Sequence, residues 1–109
     1  MTASIRLDAP ADLETLTREA DFQALVVHAL RLLGWVVIHV RQMQGNDIGV
    51  PDLLCFRGER GILLELKIGR RGLSPGQRRW QERWLPEGTV VHVIHNTAED
   101  WDRLMRLVE

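Results

Sequence analysis

Asp52, Glu65 and Lys67 are the residues of this chain whose types and spacing fit chemistry better than packing. Glu65 and Lys67 lie two apart in an apolar run, and residues two apart on a β-strand project from the same face. Ile62, Leu64 and Leu66 then point the other way, into a core. Asp52 opens an earlier apolar run over 52–56, and the intervening Arg-Gly-Glu-Arg-Gly of 57–61 is suited to a hairpin turn. Such a hairpin returns Asp52 to a position directly or diagonally opposite the Glu65–Lys67 pair, within a side chain's reach. Two carboxylates so close resist ionising together unless a cation intervenes. A divalent metal resolves that conflict, and Mg²⁺ characteristically takes one or two protein carboxylates together with substrate phosphate and water. A Glu-x-Lys tripeptide alone is an ordinary pattern whose usual fate is a salt bridge on a solvated strand. The Pro51-Asp52 pair at hairpin distance sets this one apart.

Lys67 is also the single lysine among 14 basic residues; the other 13 are arginines. Lysine offers a compact ammonium where the guanidinium is planar and bulky, so its survival at this position invites a chemical explanation.

The elements that must position these residues follow from periodicity. Phe22, Leu25, Val26, Ala29, Leu30 and Leu33 recur at helical spacing and predict a helix over 18–33, with Thr17 as its cap and Gly34 as its stop. Strands are expected over 35–40, 52–56, 62–67 and 89–94. A polar loop is expected over 42–49, and either glycine of the 57–61 turn, Gly58 or Gly61, can supply a positive φ. Ser74 followed by Pro75 opens a second helix reaching about residue 85, and a third covers 98–108. The order αβββαβα is that of an α/β domain, a mixed sheet of about four strands flanked by helices. Residues 1–17 have weak periodicity and form an unassigned N-terminal arm; 18–109 form the domain.

A chain of 109 residues holds one such domain. No apolar run approaches the roughly 18 residues that cross a bilayer, and the N-terminus is not a secretory signal. The lone Cys55 lies in an apolar strand and reads as a buried thiol in a reducing, cytoplasmic setting. The net charge of −1 conceals an asymmetry: residues 57–83 carry eight basic side chains against three acidic, and residues 1–30 two against five. That is either a solvated helix surface or a basic face for an anionic partner.

Beyond these physical readings the chain resembles a family. Glu19 in the first helix, Gly49-Val50-Pro51-Asp52-Leu53-Leu54, Leu64-Glu65-Leu66-Lys67 and Leu73-Ser74-Pro75-Gly76-Gln77 occur in order at suitable spacing. Together they resemble the VRR-NUC branch of the PD-(D/E)XK nucleases, in its stand-alone phage or bacterial form, from Glu19 to about Ile94. The resemblance implies a restriction-endonuclease-like fold and a Mg²⁺- or Mn²⁺-dependent endonuclease acting on branched DNA (junction, flap or splayed arm). It also implies a role in repair or recombination in a bacterial or phage-infected cell. Asp52, Glu65 and the backbone carbonyl of Leu66 would ligate the metal, and Lys67 would orient and activate water and steady the charge on phosphate. Glu19 would be a further metal or water ligand; otherwise it is a helix-N-terminal carboxylate favoured by the dipole. Gln77 matches the family's glutamine, which supports the site or touches phosphate, and Gln23 is a second polar helper.

Arg70, Arg71, Arg78 and Arg79 are placed to track DNA phosphates, with Arg41 and His39 near the cleft. Trp80 and Trp84, four apart, read as a core stripe. The four histidines lack zinc spacing. A homodimer is expected, because one small domain has one site and symmetric junctions suit a two-fold pair. Two other readings stay open: a nucleic-acid-binding module with little turnover, and an accessory protein–protein module using the arm.

Overall fold

The computed structural model describes residues 6–40 and 50–109. Arg41 and the loop expected over 42–49, including Gly49 of the motif, lie outside them.

Helix α1, Glu19–Leu32, buries Phe22, Val26, Val27, Ala29 and Leu30, the stripe that its 3.6-residue period requires. It starts one residue later than expected. Its cap is therefore Arg18, which makes no side-chain cap bond, and Thr17 falls outside it. Gly34 closes this end with φ +86°, a left-handed conformation that glycine adopts without a Cβ clash. Strands β1 (Val36–His39), β2 (Leu53–Arg57) and β3 (Arg60–Lys67) pair antiparallel in sequence order. Helix α2, Pro75–Trp84, then carries the chain over to β4, Val91–His95, which pairs parallel to β3. Helix α3, Ala98–Leu107, closes the fold, capped by Thr97 accepting from the Asp100 amide. The sheet order is β1-β2-β3-β4.

Arg57 pairs with Arg60, so the hairpin turns on Gly58 and Glu59. Gly58 supplies the positive φ, +60°; Gly61 does not, because it is already a strand residue. Glycine is nonetheless suited to position 61, where a Cβ would meet the Phe56 ring at 3.2 Å.

One face of the sheet carries the core. Leu53, Cys55, Leu64, Leu66 and Ile94 are buried there with Phe22, Val26 and Leu30 of α1 and Trp101, Leu104 and Met105 of α3. The segment 6–17 is anchored to the same core through Leu13, with Leu7 and Leu16 packed against it. A one-turn 3₁₀ helix, Leu13–Thr15, buries Leu13, and the Trp101 indole donates to the Leu7 carbonyl at 2.9 Å. The expected core stripe of Trp80 and Trp84 is corrected. Trp84 is 56% exposed and Trp80 only half-buried, and Gln77 alone of the α2 side chains is buried. Spacing shows that two side chains share a helix face; it does not show that the face meets the core.

Candidate active site

The second face of the sheet holds the chemistry. Leu64 and Leu66 enter the core, so the alternation of β3 turns Glu65 and Lys67 away from it. Leu53 is paired with Leu64, so Asp52, the residue before β2, comes level with Glu65 one step further along. The Asp52 Oδ2 atom accepts from the Leu66 backbone N–H at 2.8 Å, which fixes the carboxylate against β3. Its backbone carbonyl accepts from Val40 at 2.9 Å, tying the same residue to the end of β1.

Glu65 is only 2% exposed. Burial, a hydrogen bond to Asp52 and the charge of Asp52 push its carboxyl up to about 8, opposed by the positive charge of Lys67 and a hydrogen bond from Gln77. The Glu65 carboxyl therefore favours its protonated form at neutral pH. Its Oε2 atom is buried with no hydrogen-bond partner among the described residues. A buried acceptor left unpaired is costly and calls for an explanation, an ion or a water among them.

Gln77 reaches Glu65 through a capping box. Its own N–H donates to Ser74 Oγ at 3.1 Å, and its Oε1 accepts from the Ser74 N–H at 2.9 Å. With the amide oxygen so committed, the amide NH₂ group is the end left for Glu65. The Ser74-Pro75 start of α2 thus does two things: it begins the helix and it orients a donor at the acidic pair.

Of the residues singled out from the sequence, Asp52, Glu65, Leu66, Lys67 and Gln77 come together. Glu19 does not join them: it is exposed at the first residue of α1, and no three of His, Cys, Asp and Glu gather as a metal cage among the described residues. Gln23 instead meets His39, with Oε1 and Nδ1 3.3 Å apart. Arg70 and Arg71 are exposed on the turn that leaves β3, and Arg78 and Arg79 are exposed on α2. Arg41 is outside the described residues.

Sequence reasoning missed the end of β4. His95 is the register partner of Lys67, and the neighbouring Asn96 is 5% exposed and fully hydrogen-bonded. No local signature marks these roles, since their partners lie up to 83 residues away.

No family model and no curated protein matches the chain. Among solved structures, a VRR_NUC domain matches with a TM-score of 0.61 and 26% identity, over 84% of this chain and 97% of that one. The chain therefore has a VRR_NUC-like nuclease fold, a mixed four-stranded sheet with three helices, and the resemblance read from the motifs is borne out. No described helix is long and apolar enough to cross a membrane.

Proposed function

From a chain with a VRR_NUC-like nuclease fold, we propose a divalent-metal-dependent endonuclease that hydrolyses phosphodiester bonds in branched DNA. The observation that carries this reading is Glu65: a buried carboxyl, one oxygen unpartnered, beside a second carboxylate, an ammonium and an oriented amide. The donor set fits a hard cation, since Asp52 and Glu65 supply oxygen ligands and the Leu66 carbonyl a third. Mg²⁺ or Mn²⁺, when bound, would act as Lewis acid, water activator and template for the displacement.

The protein's own residues do the rest. Asp52 and Glu65 would both favour their ionised forms when they hold a cation, and burial keeps the Glu65 side chain in place. The Lys67 ammonium, in the charge field of Glu65, orients the attacking water and counters the negative charge that grows on the phosphate oxygens. Gln77 fixes the Glu65 oxygen that it touches, leaving the other for the cation. Arg70, Arg71, Arg78 and Arg79, all exposed, supply backbone contacts that place the scissile phosphate without reading bases.

The reading includes a homodimer, which would present two sites to a symmetric junction. Its support is the end of that same sheet face away from Asp52 and Glu65, where the paired Val36 and Phe56 are 61% and 43% exposed, an apolar surface suited to a second copy.

The test is a labelled panel of duplex, single-stranded, flap, splayed-arm and four-way-junction DNA, with Mg²⁺ or Mn²⁺ titrated against chelator. Metal-dependent cutting favouring branched forms is expected. Binding without cutting under either metal would leave a nucleic-acid-binding module, and no affinity for DNA at any salt would overturn both.

A further inference from the structure

The turn that leaves β3 carries two of the arginines assigned to DNA, yet its sequence, Gly69-Arg70-Arg71-Gly72, has glycine at both ends and no hydrophobic anchor. Gly69 adopts φ +66°, and such glycine-flanked segments have much backbone freedom to lose. Two consecutive residues at the end of β4 hold it. Asn96 Oδ1 accepts from the Gly69 N–H at 2.9 Å, and the His95 Nε2 group bonds the Arg71 carbonyl at 2.6 Å.

Each holder is itself held from behind. The Asn96 amide donates to the carbonyls of Leu13 at 3.1 Å and Leu16 at 3.2 Å, so its three bonds join the turn to the N-terminal arm. The His95 Nδ1 atom meets Asp100 Oδ2 at 3.0 Å, and that carboxylate also accepts the His95 backbone N–H at 2.6 Å and pairs with Arg103 at 3.3 Å. Both ring partners of His95, a carboxylate and a carbonyl, only accept. The ring is tied from both nitrogens, beside its register partner Lys67. An open cavity of about 300 Å³, lined by Gly69, Arg70, His95, Thr97 and Asp100, lies at this corner.

We propose that His95 and Asn96 are positioning residues for DNA: they clamp the turn at 69–71 so that Arg70 and Arg71 stand beside Lys67 as a preformed phosphate-binding edge. The inference rests on the nuclease reading and adds the device that orders its arginines before DNA arrives. Without the clamp, the turn would have to be ordered on binding, and the cost would appear in affinity.

The experiment measures Kd, KM, kcat and the salt dependence of Kd on junction DNA for wild type, His95→Gln, Asn96→Ala, Arg71→Ala and His95→Gln/Arg71→Ala. Thermal melts and Mn²⁺ calorimetry serve as controls. His95→Gln and Asn96→Ala are expected to raise Kd and KM about tenfold at roughly 0.1 M salt, with the slope of log Kd against log salt reduced by about one phosphate contact. The loss should fall on KM rather than on kcat, and Mn²⁺ affinity should hold. Arg71→Ala should cost much less in the His95→Gln background than in wild type, because an unclamped arginine has little left to lose. His95 is half-buried, so its variant carries the test if Asn96→Ala does not fold. Folded His95→Gln with wild-type Kd and salt slope, or strict additivity with Arg71→Ala, overturns the inference while the nuclease stands. A wild type that neither binds nor cuts DNA overturns both.

Discussion

Replacing Glu65 by glutamine should make the metal-free protein more stable at neutral and alkaline pH, although it removes the residue most important to the site. The reasoning runs through linkage. Burial and Asp52 hold the folded-state carboxyl at about 8, against 4.5 for the ordinary group. Between those values the folded protein keeps a proton that the unfolded chain releases, so stability falls as pH rises through this window and levels off above about 8. At pH 7 the penalty is on the order of 3 kcal/mol, each tenfold step above the unfolded value costing about 1.4 kcal/mol. A neutral amide of the same shape escapes it. Urea denaturation with chelator at pH 5, 6, 7 and 8 reads the effect directly: the wild-type curve declines across the series and that of Glu65→Gln stays nearly level. Added Mn²⁺ should stabilise wild type far more than the variant, because binding to the folded state alone shifts the equilibrium by mass action. Parallel pH curves for the two proteins, or a variant less stable than wild type at pH 8, would refute the account of Glu65 as a buried, protonated carboxyl suited to a cation.

Other outcomes follow from the same geometry. Lys67→Arg should fold and bind Mn²⁺ but cleave at least about a hundredfold more slowly in single-turnover assays, since a planar fork does not replace a point charge in a closed site. Leu64→Ala, at a fully buried position facing away from the site, should cost about 2–5 kcal/mol by chemical denaturation. Gly58→Ala should cost about 1–2 kcal/mol from backbone strain alone, because φ is +60° and no atom lies within 4 Å of the added carbon. Cys55 is buried and its thiol is pushed up to about 12, so native protein should resist alkylation at pH 8 and react only once unfolded.

Much of the site was legible because strand geometry is short-range and periodic. Alternation along 62–67 places Glu65 and Lys67 on one face, and the count of residues across the hairpin brings Asp52 level with them. Ser74-Pro75 followed by Gln77 announces a capped helix start, and the cap turned out also to aim the Gln77 amide. What escaped the sequence depends on contacts between distant segments. Asn96 bonds Gly69 across the sheet and Leu13 from the other end of the chain, and no local pattern encodes such partners. Trp84 failed as a core residue because α2 meets the sheet chiefly through Gln77, a tertiary fact that helical periodicity does not carry. Glu19 shows the reverse case: its place in an ordered set of motifs suggests a ligand, yet the start of α1 leaves it exposed. The N-terminal arm looked featureless because its anchors are isolated and long-range: Leu13 in the core, backbone carbonyls, and Arg6 and Glu14 bound to Glu109 and the Ala98 amide at the far end of the chain.

The measurement that bears most directly on the central claim is cleavage of a labelled four-way junction and its matching duplex by wild type, Asp52→Asn and Glu65→Gln. Each is assayed in chelator and in Mn²⁺, with folding verified in the same tubes. The account predicts cutting by wild type in Mn²⁺ alone and none by either folded variant. Cutting that persists in chelator, or in a folded variant lacking one of the two carboxylates, would contradict it.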